Sequence, residues 1–329
     1  MRLPKFEHLQ PESLVEALEL LAEYGEQAKI IAGGTELLVS MKQGLLAPAY
    51  LVNPKEIAEL DFIASEDEKG LRIGALTRLA ALVGSRVIQE NFPILAQAAD
   101  QVAAPPLQQM GTLGGNLCLN TRCFYYNQSR FWRQARPPCY KTGGEMCHVV
   151  KGGNRCYAVY QGDIAPALMA LEAIVKIARK GGERVIPLAD LYTGKGKKPL
   201  ILETNEMLVE VQIPQSAAFE SGDYQKLRYR GAMDFPLVGV AAVLTKDASG
   251  TCSRANVVLT AVGMAPVLVE EAGRLLQGQS VTDELVAQAA DAAYEAAHPV
   301  ASIGSTPSYR RKMVRVLTKR AIKNAWERE

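Results

Sequence analysis

Two short glycine turns constrain this chain more than anything else in it. Ala28–Ala32 (AKIIA) reads as a short apolar strand, Gly33-Gly34-Thr35 turns it, and Glu36–Lys42 continues with helical spacing. About 80 residues later, Thr112-Leu113-Gly114-Gly115-Asn116 reads as a second such loop. Glycine pairs let a ligand approach the backbone closely, and N–H groups at the start of a helix can cradle phosphate. One Gly-Gly turn is weak evidence. Two of them could grip the two phosphates of a dinucleotide. Neither fits G-x-G-x-x-G, so the sequence does not carry the Rossmann fingerprint.

Around these turns the pattern alternates strand and helix. Ser13 opens a helix with Leu14, Ala17, Leu18 and Leu21 on one face, and Gly25 ends it. Strands are expected at Leu51-Val52, Leu71–Ile73, Ala173–Ile177, Arg184–Pro187 and Met207–Ile213, and helices at Thr77–Leu82, Phe92–Val102 and Ala165–Leu171. Phe219–Tyr224 (FESGDY) reads as a linker. Beyond it, Val238–Thr245 and Asn256–Val262 read as strands, and Val267–Leu276, Thr282–Ala297 and Ser308–Trp326 as helices. The last helix is basic, which a solvated face explains more simply than nucleic-acid binding.

At 329 residues the length suits about two domains, and the net charge of +2 is too near neutral to argue for a nucleic-acid partner. No apolar run approaches a membrane span, and the first residues lack a secretory apolar region, so the cytoplasm is the expected compartment.

The cysteines are the second constraint. Five of the six (Cys118, Cys123, Cys139, Cys147 and Cys156) fall within 39 residues. In a cytosolic chain such clustering points to metal or redox chemistry rather than disulfides. The spacing Cys123-x15-Cys139-x7-Cys147-x8-Cys156 contains no C-x-x-C, so neither the zinc-ribbon nor the common ferredoxin signature applies. Four thiols in a loop-rich segment suit a 4Fe–4S cluster or a zinc site with four cysteine ligands, and the spacing alone leaves both open. Cys118 reads as a buried thiol beside the glycine loop or an alternative ligand, and His148 as a neighbour of the ligands. Tyr125, Tyr126, Phe131, Trp132 and Tyr140 would cover the site. Cys252 is expected in a turn.

AGGTEL (32–37), Met41-Lys42, LRIGALTRLAAL (71–82), GTLGGN (111–116) and GDIAPAL (162–168) occur in one order. Together they resemble the FAD-binding subunit of the molybdenum hydroxylases, over nearly the whole chain. The resemblance implies an α+β chain with a two-lobed FAD-binding domain (1–55 and 56–219) and a C-terminal α+β domain (220–329). It also implies a cofactor, FAD. Ile30, Ile31, Ala32, Gly33, Gly34, Thr35, Glu36 and Leu37 would hold its pyrophosphate. Thr112, Gly114, Gly115 and Asn116 would hold phosphate and ribose, and Asp163 the adenosine half. Val102, Leu208 and Lys226 would lie near the flavin ring, with Lys226 at its pyrimidine end. No catalytic residue is expected on this chain.

In the ordinary family pattern GGN runs almost directly into the acidic Asp-x-x-Pro segment. Here residues 117–161 intervene. This insertion resembles the added cluster loop of one branch of the family, which reductively dehydroxylates an aromatic acyl-CoA. That likeness implies a 4Fe–4S cluster on Cys123, Cys139, Cys147 and Cys156, since a flavin neighbour favours a redox metal over zinc. It further implies an αβγ assembly with a molybdenum-binding large subunit and a 2Fe–2S small subunit, and ferredoxin as electron donor. The insertion carries seven Arg or Lys against one acid, Glu145. These cations either compensate an anionic cluster or dock an acidic carrier. Two rival readings are an FAD subunit acting with a purine or N-heterocycle oxidase, and a non-redox zinc module that binds nucleic acid.

Overall fold

In the computed structural model, residues 2–66, 70–217, 221–302 and 304–328 are described. Three sheets organise them. The first unit holds β1 (Glu7–Leu9), α1 (Leu14–Tyr24), β2 (Ala28–Ile30), α2 (Leu37–Lys42) and β3 (Tyr50–Val52), its strands forming a parallel sheet in the order β1-β3-β2. Ser13 caps α1 by accepting the Glu16 N–H, and Ala17, Leu18 and Leu21 form its buried stripe. A parallel pair needs a crossover, and α1 and α2 supply it.

The second unit contains β4 (Ile63–Glu66), β5 (Gly70–Gly74), α3 (Leu79–Gly84), α4 (Arg86–Asn91), α5 (Pro93–Asp100), α6 (Pro105–Gln108), α7 (Leu113–Leu117), α8 (Arg130–Gln134), α9 (Ile164–Ala170), β6 (Ile174–Arg179), β7 (Gly182–Pro187) and β8 (Glu206–Ile213). Its five strands pair antiparallel as β4-β5-β8-β6-β7. The core under this sheet is lined by Leu71, Ile73, Val175, Ile177 and Val211 and filled by α5 and α9. Met207 and Val209 instead join Ala17, Leu21 and Val52 in a separate core under the first unit. A bulge at Val209 reverses the alternation along β8, so the strand serves both cores and fixes the first unit against the second.

The third unit comprises β9 (Ser221–Leu227), β10 (Val238–Lys246), β11 (Cys252–Thr260), β12 (Val267–Leu268), α10 (Glu270–Leu276), α11 (Asp283–Ala296) and α12 (Pro307–Glu327), with antiparallel sheet order β12-β11-β10-β9. Along β10, Val238, Val240, Ala242 and Leu244 pack on the helices of this unit, whereas Ala241 and Val243 join the core of the second. Burial on both faces explains why β10 reads as an unbroken apolar run.

Three expectations need correction here. Residues 221–224 are not a linker: they begin β9, where Gly222 lies against Ile94 and Asp223 is buried beside Asn324 and Arg328. Phe219 and Glu220 lie outside the described residues. Cys252 is not in a turn either. It opens β11, fully buried, with its thiol donating to the Arg254 carbonyl at 3.2 Å. The segment 267–276 begins as β12 before the helix starts at Glu270. Among the described residues no helix is long and apolar enough to cross a membrane.

Candidate functional site

A cleft of about 700 Å³ opens between the first and second units, with the β9–β10 connection of the third lining one side. Every flavin-site residue named from the sequence lines it except Ile31 and Lys226. Ile31 extends β2 instead, its N–H donating to the Val52 carbonyl at 2.8 Å.

The two glycine turns do different work. Gly33 is required by the other loop rather than by a ligand: a Cβ there would lie 2.0 Å from the Met110 carbonyl oxygen. Gly34 follows with φ +71°, the left-handed region that glycine enters freely. Among the described residues, the N–H groups of Gly33, Gly34, Thr35, Glu36 and Leu37 have no acceptor within the chain. They line the cleft as a row of open donors, a cradle for anionic oxygens. The second loop offers no such row. Leu113 N–H donates to Thr77 O, Gly114 N–H to Ala75 O, and Gly115 N–H to Thr112 Oγ1 at 3.1 Å. Its contribution is a closely packed wall. Gly114 lies flat on Ala75, and exposed Gly115 presents bare backbone to the cleft.

Asp163 lies at the start of α9, nearly enclosed. Its Oδ1 accepts from Tyr224 OH at 2.7 Å and its Oδ2 from Lys226 Nζ at 3.0 Å. Burial pushes the carboxyl up, against the pull of Lys226 and Tyr224. Burial likewise pushes Lys226 down, against Asp163. Lys226 also donates to Gln101 O at 2.7 Å and Asp234 O at 3.0 Å. Its ammonium is held by these three oxygens, and Lys226 itself is not among the residues that line the cleft.

Several lining residues escaped the sequence reading, Arg122 and Phe235 foremost. Arg122 Nη1 donates to Glu36 Oε2 at 3.0 Å, and its guanidinium lies 4.1 Å from the Phe235 ring centre. Their partners are distant in sequence, and no local pattern marks them. Cys118 also opens onto the cleft, and desolvation pushes its thiol up to about 12.

Immediately beyond Arg122 the chain enters a second pocket, lined by Cys123, Cys139, Cys147 and Cys156 with Tyr125, Tyr126, Tyr140, Lys141 and His148. The polar backbone faces the sulfurs: Val150 N–H donates to Cys147 Sγ at 3.4 Å, and the Thr142 hydroxyl lies 3.6 Å from Cys139 Sγ. Burial pushes the Cys123 and Cys156 thiols up, while backbone N–H groups of Tyr126 and Ala158 pull them down. The His148 ring stacks on Tyr125, with Nε2 2.9 Å from the Pro137 carbonyl oxygen. Lys141 is pushed down to about 8 by burial, against the pull of Cys156, Cys123 and Cys139. Cys118 is not part of this pocket. Phe131, expected as cover, is 86% exposed instead. Among the described residues no group of three or more His, Cys, Asp or Glu is drawn together as a site for a single metal ion.

Residues 4–216 match the FAD-binding domain of molybdopterin dehydrogenases, and residues 223–325 match the C-terminal domain of the CO dehydrogenase flavoprotein. The chain belongs to the FAD-binding subunits of the molybdenum hydroxylase family. It is 30% identical to the carbon monoxide dehydrogenase medium chain of Hydrogenophaga pseudoflava, covering 99% of this chain and 98% of that one. The aldehyde oxidoreductase FAD-binding subunit of Escherichia coli is 35% identical over 80% of this chain and 84% of its own. A crystal structure of the Cu,Mo-CO dehydrogenase superposes with a TM-score of 0.83 at 27% identity, covering both chains completely. The row of free N–H donors in the wide cleft lies within the residues that match the FAD-binding domain. The α+β architecture is that of the CO dehydrogenase flavoprotein.

Proposed function

We propose that this flavoprotein subunit carries a 4Fe–4S cluster on Cys123, Cys139, Cys147 and Cys156 beside its FAD, and relays electrons toward a molybdenum site in a partner subunit. We further propose that the assembly is a 4-hydroxybenzoyl-CoA reductase. Ferredoxin would be its electron donor, and a molybdenum-binding large subunit and a 2Fe–2S small subunit its partners. The observation that carries this reading is the convergence of four cysteines on one pocket, joined to the flavin cleft by two paired stretches, Leu119–Arg122 and Ala158–Gln161. Sulfur ligands from loops, shielded by aromatic rings and met by backbone N–H groups, fit an iron–sulfur cluster.

FAD supplies two-electron and one-electron chemistry in one group, and a cluster supplies one-electron transfer. The chain's own residues hold and insulate. Gly33–Leu37 present their N–H groups to a diphosphate, Thr112, Gly114, Gly115 and Asn116 wall the cleft, and Val102 and Leu208 line its apolar part. Asp163 holds Tyr224 and Lys226 in place behind that wall. Arg122 clamps the first glycine turn to the insertion through Glu36. The exposed cations Arg136 and Arg155 lie over Tyr125 and Tyr157 of the pocket wall, and with exposed Arg130 and Lys151 they suit an acidic donor such as ferredoxin.

A second reading, an FAD subunit of another molybdenum hydroxylase, draws on the relatives. Those include a nicotinate dehydrogenase and xanthine dehydrogenase FAD-binding subunits. Turnover by the purified assembly decides between them. Reduced ferredoxin should drive loss of the phenolic hydroxyl from 4-hydroxybenzoyl-CoA, with a rate that falls as salt rises. Oxidation of xanthine or nicotinate in its place would establish the second reading.

A further inference from the structure

The insertion has seven cations, but among the described residues only Lys141 brings an ammonium or guanidinium to the wall of the cysteine pocket. Its Nζ donates to Asn120 Oδ1 at 2.9 Å, Thr121 O at 2.8 Å, Thr121 Oγ1 and Gly196 O at 3.0 Å. It also lies 4.8 Å from the centre of the Tyr126 ring. All of these partners are neutral. Among the described residues no carboxylate pairs with Lys141, whereas Arg122 next to it is paired with Glu36. A largely desolvated cation without a counterion is costly, and such groups are kept where an anion completes them. It shares the pocket wall with Cys123, Cys139, Cys147 and Cys156.

Its hydrogen bonds also fix where the charge sits. Asn120 and Thr121 lie between Leu119 and Arg122, which line the flavin cleft, and Cys123, which follows directly, lines the cysteine pocket. Thr121 is itself buried, its hydroxyl donating to Gly196 O at 2.6 Å. Lys141 is thereby anchored where the chain passes from one pocket to the other.

We propose that Lys141 is the counter-charge of the cysteine pocket and a positioning residue for electron entry: from the flavin side it stabilises the cluster's reduced form. The inference rests on the 4Fe–4S reading above. The step it favours transfers one electron and no proton. A low-potential iron–sulfur donor is oxidised, and the group held by the four thiolates is reduced and gains one negative charge.

The test is a redox titration of the complete chain, purified without oxygen and followed by electron paramagnetic resonance, on wild type, Lys141→Met, Lys141→Gln and Lys141→Arg. At a fixed ambient potential near the wild-type midpoint, both uncharged variants should show a reduced-to-oxidised ratio lowered about tenfold, which is about 59 mV for one electron. Lys141→Arg should stay within about threefold of wild type. Should Met and Gln lose the cluster while Arg keeps it, the requirement for positive charge is met in a stronger form. Full iron content with an unchanged ratio in Met and Gln overturns the proposal. So does loss of the cluster from Arg as well, because shape rather than charge would then be decisive. Wild-type protein without iron and sulfide defeats the cluster reading itself, and that result is separable from all the others.

Discussion

The flavin cleft and the cysteine pocket meet at Leu119–Cys123, yet they are built by opposite means. The cleft is assembled from segments as far apart as Ile30 and Phe235, and its polar contacts are mostly backbone. The pocket is drawn entirely from residues 123–158, and its chemistry rests on four side chains. A backbone cradle survives most single side-chain changes and fails where the packing that shapes it fails. A ligand set fails at any one ligand. The difference also separates their places in the sequence: the cleft belongs to the frame of three sheets, and the pocket to the one segment 123–158.

The largest effect that would break this contrast is at the cysteines. Cys139→Ser or Cys156→Ser should abolish cluster binding while FAD stays bound, measured as iron and flavin per chain. Loss of both cofactors together would mean that the two pockets are one structural unit. Next comes Lys226→Met, which strands the buried Asp163 charge and should cost about 3–5 kcal/mol of stability. Denaturant unfolding checks it. Because Lys226 is held by Asp163 and two carbonyls and does not line the cleft, the flavin potential should move little, and a large shift in an otherwise stable variant would place the ammonium at the ring.

Gly33→Ala acts on the cleft alone. Its Cβ would meet the Met110 carbonyl, so the two loops must part, at about 1–3 kcal/mol. Flavin should bind at least about tenfold more weakly, by fluorescence titration, with iron content unchanged.

Acid should also act on the frame before the insertion. Glu210 is held below its ordinary range: burial opposes this, but Arg72, Gln212 and Lys176 prevail. Burial opposes the same shift at Glu206, beside the cleft, and there Arg184 and the Glu203 N–H prevail. Both carboxylates stabilise the fold above their unfolded value, and that contribution disappears as pH falls through their lower folded values. The melting temperature should therefore hold from pH 7 to about 5 and fall below about 4.3. A flat profile to pH 3 would remove these two groups from the account.

The smallest effect is expected at the join. Arg122→Met removes a partly exposed ion pair with Glu36, worth about 1 kcal/mol or less. Flavin affinity should fall by only a few-fold.

How much of this the sequence disclosed follows the same division. The glycine turns, the strand–helix order and the cysteine set were legible, because periodicity and spacing carry them locally. Gly222 and Asp223 looked like linker residues. Yet Gly222 is small because Ile94 presses on it, and the Asp223 side chain accepts from Asn324 of α12 and from Arg328 just beyond it. Lys226 carried the right charge at the right sequence position, but only the fold shows that Asp163 and two carbonyls consume it. Cys252 follows the turn residues Ser249 and Gly250, and its burial in β11 depends on packing against α10 and α12. Gly33 was legible as important, and the reason for it was not, since Met110 lies far along the chain.

The most direct measurement is FAD, iron, acid-labile sulfide and zinc per chain on protein purified without oxygen. The account predicts one FAD with about four iron and four sulfide, the content of a single cluster on four thiolates, and no zinc. One FAD with zinc in place of iron would contradict it and leave the cysteine pocket a structural insertion on an ordinary flavoprotein subunit.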